Sequence, residues 1–354
     1  MQFWTLGVSA PRRAAEFGRH AEDAGWHGML VVDSQNLSGD SYVALASAAI
    51  ATSNLGLGPG VTNSVTRHAA VTASAIGSIQ KLSDGRAVLG IGRGDSALAH
   101  VGRAPARLDG FETYLKNVQT YLSGGEVAFE DCAIDDSIAP DVEALELADT
   151  PSTSTIGWLR QDPKVPVEVA ATGPKVIGIA ARHAERVMFT VGADVERLRW
   201  GIETAEAAAR DVNRDLNDLA FGADVNIVCH SNLETAHKLA RGGATLFARF
   251  SVMHGGISGP VDAMQAEVLN SIHERYDMKG HGRGDSLQTS AVTPEFIDRF
   301  AIVGDPAQCV DRLQELKELG LDRLAVNGPT FTAQSEEGKE ASELFETQVL
   351  PRFA

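Results

Sequence analysis

Short runs of β-branched and apolar residues alternate with longer stretches of helical periodicity from one end of this chain to the other. FWTLGVS (3–9) leads into a helix from Pro11 to about Ala24, GMLVVD (28–33) into YVALASAAIAT (42–52), and LGLGPGVT (55–62) into a helix from His68 to Leu82 that Gly85 ends. In that third helix Val71, Ala75, Ile79 and Leu82 are spaced to make one apolar stripe. The series continues with AVLGIG (87–92), a helix over 106–122, VPVEVAA (165–171), a short helix from Pro174, RVMFTVG (186–192), a long helix after Ala193, and AFGADVNIVCH (220–230). Near the end, Asp305-Pro306 caps a helix carrying Val310, Leu313, Leu316 and Leu319, Gly320 closes it, and DRLAVNG (322–328) is the last strand. Nearly continuous apolar strands joined by helices imply a parallel sheet covered on both faces.

Such a sheet closes in one of two ways. A doubly wound sheet places its nucleotide site at a first glycine-rich turn, whereas a (β/α)8 TIM barrel gathers its site from the C-terminal ends of many strands. Here the unusual residues sit at successive strand ends: Asp33, Gly60-Val61-Thr62-Asn63, Gly92-Arg93-Gly94-Asp95, Thr172-Gly173 and Gly192. The barrel is therefore expected, as one domain over residues 1–354. Residues 126–163, acidic and turn-rich, and 253–299, which hold MHGGISGP and KGHGRGDS, do not fit the repeat and read as insertions near the mouth.

Bulk properties remove several functions. A net charge of −16 with scattered Lys and Arg argues against nucleic-acid binding, yet leaves room for one anionic group held at a helix N-terminus. No stretch is apolar enough for a membrane helix, the N-terminus lacks the order of a secretory signal, and Cys132, Cys229 and Cys309 are too few and too far apart for a disulfide framework. A cytoplasmic protein without membrane contact is expected. None of the ten histidines forms a metal-ligand motif, so no metal is expected; no GxSxG is present, and no cysteine lies at one of the strand ends named above, so nucleophilic acyl chemistry has no candidate.

The strand-end motifs differ in what they can do. GIGRGDS (90–96) lacks the third glycine of a dinucleotide fingerprint and follows the fourth strand; its glycines either let backbone approach a flat ring or phosphate, or make an ordinary tight turn. Thr172-Gly173-Pro174 places a proline at the first position of an apolar helix, leaving N–H groups for a phosphate, with Lys175 as an added charge; the alternative is a plain helix cap. Asp33 either does chemistry at the mouth or caps the Ser34-Gln35-Asn36 turn. His68 reads as a cap or surface group before a catalytic one.

Taken together, GLGPGVTNSVTRHAAVTASAI, KLSDGRAVLGIGRGDSAL, EVAATGPKVIGIAARHAERV and FAIVGDPAQCVDRLQELKELGLDRLAVNGP resemble the luciferase-like monooxygenase superfamily. The resemblance runs from the first strand to Pro329 and is greatest to the branch named after methylenetetrahydromethanopterin reductase, whose members commonly use the deazaflavin coenzyme F420. It implies a non-prolyl cis peptide at Gly60–Val61 forming a bulge behind the deazaflavin ring, with Thr62 and Asn63 at the ring's polar edge. It further implies Ile91, Gly92 and Arg93 at the fourth strand's end, Ser96 facing the cofactor, and Thr172, Gly173, Pro174 and Lys175 around its phosphate. Asp33 and Asn63 are the implied catalytic candidates. Two departures matter. Arg93 stands where some relatives carry an acidic glutamate, and an arginine donates no proton at neutral pH. Ser34 stands where sugar-phosphate dehydrogenases of the branch have histidine, which disfavours sugar-phosphate oxidation.

The implied activity is hydride transfer between F420 and a small organic substrate. FMN-dependent monooxygenation with a partner flavin reductase is the alternative, and a non-catalytic flavin-binding protein a second. A homo-oligomer, dimer or tetramer, is implied as well. For the anionic tail of F420, Arg67, Arg93, Lys175 and Arg182 are the candidate cations.

Overall fold

The computed structural model describes residues 1–132, 134–159, 163–328 and 335–353; Pro329, where the resemblance ends, lies outside them. Among the described residues twelve strands are formed, β1 Gln2–Gly7, β2 Gly28–Val31, β3 Gly56–Pro59, β4 Thr62–Asn63, β5 Leu89–Gly92, β6 Val127–Ala128, β7 Thr153–Ser154, β8 Val167–Ala171, β9 Arg186–Phe189, β10 Ala220–Cys229, β11 Ile302–Gly304 and β12 Arg323–Asn327. The helices are α1 Pro11–Asp23, α2 Ser41–Ala51, α3 Ala69–Leu82, α4 Ser96–Ala99, α5 Leu108–Leu122, α6 Pro174–His183, α7 Val195–Arg210, α8 Leu233–Phe250, α9 Ala263–Arg275, α10 Pro294–Phe300, α11 Pro306–Glu318 and α12 Glu336–Leu344.

Hydrogen bonding orders the sheet β3-β2-β1-β12-β10-β9-β8-β5-β4, every ladder parallel. The path begins and ends on β3 and β4, which are two halves of one chain segment, so the sheet closes on itself as eight staves. A bridge between Leu57 and Ala87 and the Val88 N–H donating to the Leu57 carbonyl at 2.9 Å complete the seam. This is the TIM barrel expected from the alternation.

Strand alternation divides the side chains into two sets. Outward residues such as Phe3, Met29, Leu89, Val169, Ala223 and Val225 are buried against the helices. Inward residues Trp4, Leu30, Val88, Met188 and Ala325 form a separate apolar plug, a packed layer of the kind that makes such barrels solid. Beneath it Glu168 binds Arg186 and Arg323, with Nε of Arg186 at 2.9 Å, and Arg323 lies over the Trp4 ring.

The cis peptide bond implied at Gly60–Val61 is present, and several details go beyond the sequence reading. The third strand is interrupted at Gly60–Val61, and the second ends at Val31, two residues before Asp33. The buried face of α3 is Ala69, Thr72, Ala73, Ile76 and Ile79, whereas Val71 and Leu82 are exposed; α3 packs with its small residues because α2 and α5 lie close on both sides. Ile302–Gly304 adds a strand, β11, on the upper part of β10. Residues 253–299 contain α9 and most of α10, and α9 starts at a reciprocal Asp262/Gln265 capping box that is readable in the sequence as D-x-x-Q.

With α8, these helices form an apolar cluster of their own, including Val228, Phe247, Ile272, Phe296 and Phe300. At Gly243 of α8 a Cβ would lie 2.4 Å from Asn226 Nδ2 on the inner face of β10, and Arg249 near the helix's end pairs with Asp95 after β5. A helix touching both β10 and the β5 loop, three staves apart, crosses the barrel mouth.

Candidate active site at the barrel mouth

The C-terminal ends of β3 to β5 form a wall with little side chain on it. Gly60 and Val61 are partly exposed, joined by a cis peptide bond, and Gly92 faces Val61 and Ala170. A Cβ on Gly90 would sit 2.2 Å from the Pro59 carbonyl oxygen, so glycine is required there for the two strands to approach. Asn63 and Gly92 pair across the β4–β5 ladder, as do Thr62 and Ile91. Ile91 is fully buried in the outer core, so its backbone alone borders the mouth.

Asn63 is 1% exposed. Its Oδ1 accepts the Val65 and Thr66 N–H groups at 3.0 Å each, while Nδ2 is a buried donor with no partner among the described residues. A buried, unpaired amide N–H is unfavourable unless something accepts it. This donor, at the edge of a wall free of long side chains, fits the polar rim of a flat heterocycle.

Asp33 is 3% exposed and caps no turn. Its Oδ2 accepts from Thr62 Oγ1 at 2.7 Å and from Arg67 Nη1, and Arg67 Nη2 donates to Asp40 Oδ2 at 2.8 Å. Arg67 also lies over the Tyr42 ring, 4.9 Å from its centroid. Burial opposes the charge of Arg67, but Asp33 and Asp40 outweigh it and hold its pKa above the ordinary value. Burial pushes the nearby Tyr114 phenol up to about 12, so it stays protonated. Thr62 spends its hydroxyl on Asp33, and the whole group fixes Arg67 under the mouth.

Arg93 donates from Nε to the Ala106 carbonyl at 2.6 Å, and burial lowers its pKa. Ser96 Oγ lies 3.3 Å from Ser34 Oγ, joining the loops after β2 and β5. Across the mouth, Gly173 is the N-cap of α6 with Pro174 following and no side chain capping the helix. A Cβ at Gly173 would meet nothing closer than Ser258 Oγ at 3.5 Å, so the turn is open. Thr172 Oγ1 bonds the Thr190 hydroxyl. Lys175 is exposed with no partner among the described residues.

His68 caps α3, its Nδ1 accepting the Ala70 N–H at 3.2 Å, and its Nε2 lies 2.6 Å from the Cys132 carbonyl oxygen. Arg182 does not reach the mouth. It occupies the last turn of α6, about 12 Å from the helix start, bound to Glu112 at 3.2 Å. There it lines a cleft of about 500 Å3 with Lys116, Lys164 and Arg214, below the starts of β8 and β9.

Sequence reasoning missed three groups. Arg197, 1% exposed, binds the carbonyls of Val191, Ser258 and Pro260 and the Ser251 hydroxyl at 2.7–3.0 Å, tying residues 251–260 to the end of β9. Arg249 joins α8 to Asp95 and lies 4.5 Å from the Tyr276 ring centroid. Asp224 and Asn226 point into the barrel, and their signal was a polar residue at every second place in an otherwise apolar strand.

The described residues contain no cluster of metal-ligating side chains and no helix long and apolar enough to cross a membrane. The 5,10-methylenetetrahydromethanopterin reductase of Methanopyrus kandleri is 26% identical over 361 residues, covering 97% of this chain and 95% of the reductase. The structure of the coenzyme F420-dependent tetrahydromethanopterin reductase from the same organism superposes with a TM-score of 0.74 at 22% identity, over 100% of this chain and 99% of that one. The oxygenating constituent of 3,6-diketocamphane monooxygenase from Pseudomonas putida, in complex with FMN, gives 0.66 at 17% identity, covering 100% and 99% of the two chains. The sequence pattern of the luciferase-like monooxygenase family matches residues 3–323, most of the barrel and both of its seam strands, and the chain belongs to that family.

Proposed function

We propose that this enzyme transfers a hydride between the deazaflavin coenzyme F420 and a small organic substrate held at the barrel mouth. The observation that carries the reading is the wall of Gly60, Val61 and Gly92 with the unpaired Nδ2 of Asn63 at its edge. The reductase relatives, aligned over nearly the whole chain, support a deazaflavin in that place. When bound, such a cofactor supplies or accepts a hydride. Gly60 and Val61 would support the ring, Asn63 would donate to its polar edge, the open α6 N-terminus at Gly173 and Pro174 would hold the phosphate, and Arg93 would meet the anionic tail. Asp33 would act by fixing Arg67. Residues 1–354 are read as one domain, with 126–163 and 253–299 as insertions near the C-terminal face, the first running on to the last turn of α3, where Gln80 and Lys81 donate to the Pro163 and Trp158 carbonyls.

Fluorescence titration of the purified protein with F420 and with FMN, at low and at high salt, tests the reading. Saturable F420 binding that weakens with salt is expected, with weak FMN binding. Tight FMN binding with no affinity for F420, accompanied by oxygen uptake in the presence of reduced FMN, would replace it by the monooxygenase reading.

A further inference from the structure

We propose that Asp224 is the proton donor and acceptor of this enzyme, set on the barrel wall that faces the Gly60–Val61 turn; the assignment rests on the deazaflavin reading above. Eight staves place β3/β4, the third in order, opposite β10, the seventh. The height follows from the two hydrogen-bonded paths around the barrel. Through β2, β1 and β12, Leu57 is in register with Met29, Thr5, Val326 and finally Val225. Through β5, β8 and β9, Thr62 is in register with Ile91, Val169, Val187 and finally Phe221. In a tilted barrel one path climbs and the other descends, so the level midway between the two starting residues, at Pro59–Gly60, falls midway between the two end points, at Ala223, and Gly60–Val61 lies one residue higher, at Asp224. Ala223 is fully buried in the outer core. Asp224 turns inward, in register with Ala325 of the plug and two residues beyond Gly222, the partner of Met188.

Its surroundings suit proton transfer. Asp224 keeps some exposure as a residue while Ala223 and Val225 are fully buried, so its side chain lies on the inner face of the stave, with the carboxyl itself deep among its neighbours. It has no hydrogen bond or ion pair among the described residues. The charged groups nearest it are Arg186 on β9 and Arg323 on β12, the two adjoining staves, and Glu168 on β8, one stave further, and both arginines are bound to Glu168 beneath the plug. Above it are the neutral Asn226 and Gly243 of α8. Burial, and after it the Glu168 carboxylate, push its pKa up to about 7, where a carboxyl can both give and take a proton. The other mouth candidates are unsuited: the Oδ2 of Asp33 is taken by Thr62 and Arg67, and Arg93 is a guanidinium.

The hydrogen count then closes. In reduction of a C=O or C=N group, a bound reduced deazaflavin would supply the hydride, with both electrons, to the carbon, and the π bond would break onto the heteroatom. The heteroatom takes the Asp224 proton to form O–H or N–H. The carboxylate regains its proton from water at the mouth, and oxidation runs the same steps backwards.

The test uses full-length protein labelled with [4-13C]aspartate, as wild type and as Asp224→Asn, with F420 as the probe. Wild type is expected to show one carboxyl resonance titrating near pH 7 that is missing in Asp224→Asn and that moves when F420 binds; the variant's F420 affinity should stay within about threefold. A resonance titrating below pH 5, or one indifferent to bound F420, overturns the assignment. So does loss of F420 binding in Asp224→Asn when its circular dichroism is unchanged, since that would make Asp224 a binding residue. If wild type itself fails to bind F420, the deazaflavin reading falls and this assignment with it, while the titration still reports whether the carboxyl is perturbed.

Discussion

Glu168→Gln removes one charge from the base of the barrel and leaves the chain's shape intact. Glu168 is 3% exposed and accepts from Arg186 and Arg323. The two arginines are not equally dependent on it. Arg186 keeps an ion pair to Asp322 at the surface, whereas Arg323, 8% exposed, is left with no ion pair, only the face of the Trp4 ring and the neutral Oε1 of Gln2, which it reaches from Nε at 2.9 Å and Nη2 at 2.6 Å. Burial already lowers the Arg323 pKa to about 10 with Glu168 in place, a sign of how poorly its charge is solvated. Removing one partner of a buried ion pair costs about 3–5 kcal/mol, because the other charge stays behind. Replacing both partners by apolar side chains costs much less, so Glu168→Leu with Arg323→Met should recover most of the loss. Equilibrium urea unfolding checks both variants, and Trp4, whose ring lies 4.3 Å from the Arg323 guanidinium carbon, gives a local fluorescence signal. A loss below about 1 kcal/mol in Glu168→Gln, or a double variant less stable than the single one, would refute the reasoning. The same substitution removes the charge that adds to burial in raising Asp224, so the Asp224 titration should move down in pH.

Three further outcomes follow from the geometry. The folded pKa of Asp224 lies above its unfolded value, so the folded state holds the extra proton and stability declines as pH rises from about 4 to about 7; Asp224→Asn should come closest to wild type in urea unfolding near pH 4 and exceed it by a growing margin up to about pH 8, and equal midpoints at about pH 8 would count against the raised pKa. Arg197→Met leaves the Val191, Ser258 and Pro260 carbonyls without their donor, so limited proteolysis should cut within 251–262 at least tenfold faster than in wild type. Gly173→Asp has room for its Cβ, so thermal stability should change little, while a carboxylate at the α6 N-terminus should weaken F420 binding about tenfold by occupying the amides and repelling the phosphate; unchanged affinity would place the phosphate elsewhere.

The barrel was legible in the sequence because its signals are local. Apolar strand runs, Asp305 and Gly320 at the two ends of α11, and Pro174 opening α6 each act within a few residues of themselves. The strand-end motifs were legible for the same reason: Gly60, Asn63, Gly92 and Gly173 stand at the ends of the apolar runs that precede them. Rotation and partnership were not local. The burial of Ile76 in place of Val71 on α3 depends on how close α2 and α5 lie, and the pairing of Asp33 with Arg67 joins residues 34 positions apart. Asp224 shows the division most clearly. Its sequence neighbours mark an inward-facing polar residue on a buried strand, but nothing short of the closed sheet sets β10 opposite the third stave, because ring closure and strand tilt are properties of all eight staves together.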